Sequence, residues 1–244
     1  MYFNDIHVLW YLLVIVIGGI IGQIVDYSTK MFLAEKKILS KNHIKEYLAN
    51  TIPSYALMAI ISVLYVLLLY ILGPKNYLDI IRFGLLIPML LIAFIVDYKE
   101  QIIPNRLNLT IFEIGLIFTF IYGILNINVA IDLLFGMLAG GGIFLAITLI
   151  GGLIAGKEAM GLGDVKLMGA LGLFFGFNST ILISVLAFLL GAIISIILMI
   201  IKKNKASQYI PFGPFIVVST LITIYVPFNI LFTILFKIFS LGLY

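Results

Sequence analysis

The chain is expected to fold as an all-α, polytopic integral membrane protein with about eight transmembrane helices. Three observations lead there. The 244 residues are 63% hydrophobic and only 11% charged, with a mean hydropathy of +1.23; soluble domains carry about 25% charged residues. Apolar runs recur whose length suits the roughly 20 residues that cross a ~30 Å hydrocarbon core. Polar and basic residues gather in the connections between those runs.

The runs follow one another in order. Residues 8–25 form the first. No Lys or Arg precedes it and no small-residue cleavage site follows, so it reads as a retained helix and not a cleaved signal. A polar stretch, 26–50, is expected to be a cytosolic loop. The second and third runs are 52–72 and 80–96; Pro88 lies inside the third and is expected to kink it. The remaining runs are 107–125, 130–154, 165–177, 180–201 and 212–237, of which 165–177 is the shortest. No internal repeat or low-complexity tract interrupts them, so residues 1–244 read as one membrane domain. Glycines four apart recur as Gly18/Gly22, Gly136/Gly140, Gly152/Gly156 and Gly172/Gly176. In membranes such spacing lets helix backbones approach closely, and packing is the expected role of all four pairs.

Basic residues orient the chain. If the runs alternate sides, one side receives Lys30, Lys36, Lys37, Lys41, Lys45, Lys99, Arg106, Lys157, Lys166, Lys202, Lys203 and Lys205; the other receives Lys75, Arg82 and Lys237. That is twelve against three of the 15 basic residues. The richer side is expected to face the cytosol, which puts the N-terminus outside an inner (cytoplasmic) membrane. A pI near 9.1 then reflects lysines held at that face and implies no nucleic-acid partner. There are no cysteines, and His7 and His43 lie far apart, so neither a disulfide nor a metal centre is expected and no cofactor is implied.

Charged groups near hydrocarbon are costly, and carboxylates found there usually serve a purpose. Asp97 ends the third run. Asp164 opens the sixth, in Met160-Gly161-Leu162-Gly163-Asp164-Val165-Lys166-Leu167. Although 67 residues apart, both fall on the side assigned to the cytosol. Two aspartates close together share a proton, so one can take a proton from water while the other donates to a scissile carbonyl. Gly161 and Gly163 would let an extended peptide approach Asp164 and would permit unusual backbone angles. The plainer reading makes Asp164 a helix N-cap and Asp97 a polar helix end. Lys166 in the first turn opposes the helix dipole, so it is expected either to snorkel to headgroups or to hold a substrate group. Glu158 reads as a surface ion pair with Lys157 or as a supporting residue. Glu113, about two turns into the fourth run, is either functional or hydrogen-bonded to a neighbouring helix.

Three stretches resemble the type IV prepilin peptidases, intramembrane aspartyl proteases of the Gly-x-Gly-Asp class. They are Asp97 followed by Ile103-Pro104-Asn105, then Lys157 to Leu167 continuing into Gly169-Ala170-Leu171-Gly172, and Ile210-Pro211-Phe212-Gly213-Pro214-Phe215. The resemblance covers residues 80–237. It implies that Asp97 and Asp164 are the catalytic pair, with Gly161, Gly163, Lys166, Glu158 and Pro104 binding substrate or supporting the site. It implies as partners the helices of prepilins or pseudopilins, whose short basic leaders such enzymes remove just after a glycine at the cytosolic face, with membrane lipid around them. Many bacterial members carry two Cys pairs after the first helix and also N-methylate the product; 26–50 has no cysteine, so methylation is not expected here.

Other readings remain open at this stage. A presenilin-like protease shares Gly-x-Gly-Asp, but its Pro-Ala-Leu element is absent. A proton-coupled transporter could use the same two aspartates, although transport sites favour the midplane. A non-catalytic pilus or secretion assembly protein could keep the fold alone.

Overall fold

A computed structural model describes residues 2–3, 6–34, 47, 53–73, 76–156, 160–201 and 210–240. Much of the loop 26–50, together with Lys157 and Glu158, lies outside the described residues. The described chain is helical apart from its connections and a two-residue antiparallel pairing of Tyr2–Phe3 with Ile6–His7. Among the described residues, six helices are long and apolar enough to cross a membrane: α1 (Val8–Leu33), α2 (Tyr55–Leu72), α3 (Tyr77–Glu100), α4 (Asn105–Leu125), α5 (Ile127–Ala155) and α6 (Leu162–Ile201). Two shorter apolar helices follow, α7 (Gly213–Tyr225) and α8 (Phe228–Phe239). The chain divides into two compact units, Met1–Glu100 and Gln101–Tyr244.

In the first unit, α1 crosses α2 at a backbone-to-backbone distance. A Cβ on Gly18 would lie 2.6 Å from Ser62 Cα, and one on Gly22 would lie 2.5 Å from Met58 Cα. Any side chain at either position would force the helices apart. The Ser62 hydroxyl donates to the Ile15 carbonyl at 2.9 Å and ties the crossing. Polar side chains hold membrane helices together in this way where water cannot compete. At the head of α1, the His7 ring nitrogen accepts the Leu9 N–H at 3.3 Å.

Pro88 sits inside α3 and has no N–H to offer the carbonyl one turn earlier, which belongs to Gly84. The Tyr65 hydroxyl, from α2, donates to that carbonyl at 2.6 Å. A freed backbone acceptor is thus satisfied by a neighbouring helix, as an apolar medium demands. The proline is tolerated because a tyrosine replaces the hydrogen bond it removes.

The second unit differs from the expected partition. The runs 165–177 and 180–201 belong to one element, α6, but Gly176 breaks it with φ 74° and ψ −179°. The chain reverses there. A Cβ on Gly140 of α5 would touch both the Met168 carbonyl and, at 2.9 Å, Thr180 Cγ2. In a straight helix those two residues would lie about 18 Å apart. Further along α5 the ring of Phe144 meets that of Phe188 at 5.2 Å, whereas Gly136 packs on Gly172. The first arm, 162–175, therefore runs antiparallel to α5 and the second, 177–201, runs alongside it. Its 14 residues give the first arm a length of about 21 Å, short of a full crossing. This is why 165–177 is the shortest of the runs.

Asp132 of α5 closes the bend. Its Oδ1 accepts the Phe177 N–H at 3.2 Å, and its carboxylate occupies the space a Cβ on residue 176 would need. Glycine is required at 176 on both counts, the left-handed φ and the lack of room. The pairs Gly136/Gly140 and Gly172/Gly176 are packing contacts as expected. Gly156 instead ends α5 in a left-handed C-cap with open space around it, φ 65°. The last run also divides. Val226, preceding Pro227, is extended (φ −113°, ψ 124°) and stops α7. Leu231 and Leu235 of α8 then pack with Leu182 of α6 and Ile222 of α7.

Tyr65→Phe should lower the melting temperature in detergent, because it leaves the half-buried Gly84 carbonyl without a donor at a cost of about 1 kcal/mol. Adding Pro88→Ala supplies a backbone N–H and should recover part of that loss; additive effects of the two substitutions would contradict the exchange.

Candidate active site

Buried carboxylates are the informative groups in such a chain, because burial disfavours charge unless something compensates it. Among the described residues three are buried: Asp26, Asp97 and Asp164. Asp26 was not singled out by sequence, and its neighbours account for it. Lys30 Nζ lies 2.7 Å away, one helical turn on, and the Tyr47 hydroxyl donates to the same oxygen at 2.5 Å. Burial first, and then the bond to Asp26, push the Tyr47 hydroxyl pKa upward, so the tyrosine stays protonated as a donor. The ring of Tyr27 meets that of Tyr47 edge-on at 5.1 Å.

Asp97 belongs to the first unit. On α3 the buried positions Leu86, Leu90, Ala93 and Asp97 recur at helical spacing, so the carboxylate is the last member of an apolar stripe. It is 4% exposed, one turn before the helix ends at Glu100. The adjacent Tyr98 turns outward and stacks on Phe94 at 6.4 Å.

Asp164 belongs to the second unit. It is 5% exposed and lies third in α6, heading the buried stripe Asp164, Leu167, Met168 and Leu171. It stands inside the first turn and is not the capping residue. Its N–H donates to the Gly161 carbonyl at 3.1 Å. A carboxylate in a helix's first turn is favoured by the dipole, which here faces an aspartate buried at the start of its stripe.

The segment leading into α4 holds this turn. Pro104 precedes α4 at φ −60°, and its carbonyl accepts the Leu107 and Asn108 N–H groups. A Cβ on Gly163 would lie 3.3 Å from Ile103 Cβ, so the glycine gives room for Ile103. Neither Gly161 nor Gly163 has a positive φ; the unusual angles expected of them are absent, and close packing explains Gly163. Lys166 Nζ donates to Asn105 Oδ1 at 2.7 Å, a third outcome beside the two expected for it.

Asn108 was missed by sequence reasoning. It is 3% exposed and its Nδ2 donates to the Gly163 carbonyl at 2.9 Å. The available signal was an amide one turn after Pro104-Asn105, at the start of an otherwise apolar helix. Glu113 is exposed and lies off the buried stripe Asn108, Ile111, Gly115 and Phe118. Glu158 falls outside the described residues. The third motif builds packing. Phe212 meets Phe188 at 5.1 Å, Phe144 at 6.0 Å and Phe215 at 5.9 Å, and it covers Gly191.

A family model, the type IV leader peptidase family, matches residues 84–196. That stretch contains Asp97, Pro104, Asn108 and Asp164. Proteins named prepilin leader peptidase/N-methyltransferase are similar to the chain. The one from Aeromonas hydrophila is 31% identical over 137 residues, 56% of this chain and 46% of that protein. The one from Legionella pneumophila is 33% identical over 147 residues, 59% and 49% of the two chains. The one from Escherichia coli K12 is 28% identical over 130 residues, 53% and 56%. The chain thus spans about half the length of the curated relatives it matches. No solved structure matches it.

Proposed function

We propose that the protein is a membrane-embedded aspartyl endopeptidase that removes the leader peptide of prepilins or pseudopilins, because the type IV leader peptidase family model matches residues 84–196. The observation that carries this reading is that the matched stretch holds both Asp97 and Asp164, each buried at the polar end of an apolar helical stripe.

The chemistry follows from the pair. With no metal required, peptide hydrolysis needs a base to activate water and an acid to protonate the scissile carbonyl oxygen. Two carboxyls brought together hold one proton between them and supply both roles. Their titration belongs to the pair, so neither residue is assigned a fixed role. The substrate is an extended stretch at the junction of a basic leader and a membrane helix, cut after glycine. The bias of basic residues toward one side supports cleavage at the cytosolic face, with the N-terminus outside. The absence of cysteine from 26–50 supports cleavage without N-methylation. A proton-coupled transporter is disfavoured because neither aspartate adjoins the one break found within a described span, at Gly176.

Co-expression with a reporter, a lysine-bearing leader ending in glycine fused to an apolar single-span helix, tests the pair. Asp97→Asn and Asp164→Asn should each lower leader removal by at least about 10²-fold; normal processing by either variant excludes the pair. Lys166→Ala should cost no more than about tenfold, the scale of one hydrogen bond.

Mass spectrometry of the processed reporter in the presence of S-adenosylmethionine should find an unmodified new N-terminus. A methylated terminus would contradict the reading of the cysteine-free loop.

A further inference from the structure

Asn108 combines two observations that the proposed chemistry does not yet use. The first concerns one peptide group, the one joining Gly163 to Asp164. Its carbonyl accepts from Asn108 Nδ2 at 2.9 Å, and its N–H donates to the Gly161 carbonyl at 3.1 Å. Both polar ends of the unit immediately before Asp164 Cα are therefore held. A carbonyl oxygen has two lone pairs, so the amide adds to the helical bonding without replacing it. The bond also settles which way the amide points, because a carbonyl accepts only from the nitrogen.

The second observation is the other half of the same side chain. Asn108 Oδ1 is buried and has no hydrogen-bond partner among the described residues. An orphaned buried acceptor lowers stability, and an apolar side chain of similar shape would avoid that loss. Leucine at 108 would suit a purely structural position in an apolar helix better. Asparagine does only one thing here that leucine cannot, which is to donate to Gly163.

We propose that Asn108 is a positioning residue for Asp164: it fixes the Gly163–Asp164 peptide plane and through it the direction in which the carboxyl leaves the helix. This inference rests on Asp164 acting in leader cleavage. A side chain on the first turn of a helix moves with its backbone, and small misplacements of a reacting group are costly to rate. Lys166 and Asn105 join the same two helix starts at 2.7 Å. That second tie steadies the turn but does not touch the peptide group itself.

Two apolar variants separate positioning from stability. Asn108→Leu removes the donor and the orphaned acceptor together; Asn108→Val does the same with a smaller side chain and no charge. Purified full-length protein in detergent is assayed on the leader–glycine–helix reporter for kcat and KM, with a thermal melt on each sample. Both variants should lose between about tenfold and a hundredfold in kcat with KM within about twofold, and Asn108→Leu should melt no lower than wild type. Wild-type kcat in Asn108→Leu would overturn the proposal. So would a fall in kcat that tracks a lowered melting temperature. If Asn108→Leu does not fold, Asn108→Val decides by the same criteria. If the wild type itself leaves the reporter uncut, the leader-peptidase reading fails; that result is distinct from a wild type that cuts and an Asn108→Leu that cuts as well.

Discussion

The second unit depends on a contact between two glycines. Gly136 of α5 and Gly172 of α6 meet backbone on backbone, with no room for a side chain on either. Without that approach the first arm of α6 could not lie against α5, and Asp164 rides at the head of that arm. Hydrocarbon gives no hydrophobic reward for bringing two apolar helices together. Close packing and internal hydrogen bonds must do so, which is why small residues carry so much of this fold. Four residues on, Gly176 turns the chain back and Asp132 caps the returning arm through the Phe177 N–H. Close approach, reversal and cap form one device that keeps a 14-residue arm in place although it is too short to be held by spanning the bilayer.

The first unit meets the same constraint with different residues. Gly18 and Gly22 give α1 its approach to α2, and Tyr65 repairs the hydrogen bond that Pro88 removes. In the first unit the buried carboxylate Asp26 has identifiable partners, Lys30 and Tyr47. Asp97 and Asp164 are buried at the ends of apolar stripes, a setting that suits the proposed acid–base pair.

Much of this was legible in the sequence, and the limits follow from what periodicity can report. Hydropathy located the membrane runs because length and apolarity act locally. It could not show that 165–177 and 180–201 are two arms of a hairpin, since the deciding contact, Gly140 with both Met168 and Thr180, lies on another helix. Nor could it divide 212–237, although Val226-Pro227 offered the signal. Asp97 and Asp164 stood out because carboxylates are rare in such runs. Asn108 did not, because an amide is unremarkable one turn into a helix until the carbonyl it holds, on a segment 55 residues away, is known. The glycines of Gly161-Leu162-Gly163 were read for substrate approach, whereas Gly163 is at least a packing residue against Ile103.

If Asp97 and Asp164 are the proposed acid–base pair, both act on one substrate bond and have to meet there. The chain contains no cysteine, so a cysteine pair placed at 97 and 164 can be probed without background. In native membranes, a short bifunctional thiol reagent should join the two positions as efficiently as a control cysteine pair at Asn105 and Lys166, whose exposed side chains already touch. Efficient joining of the control pair with none between 97 and 164 would contradict the account.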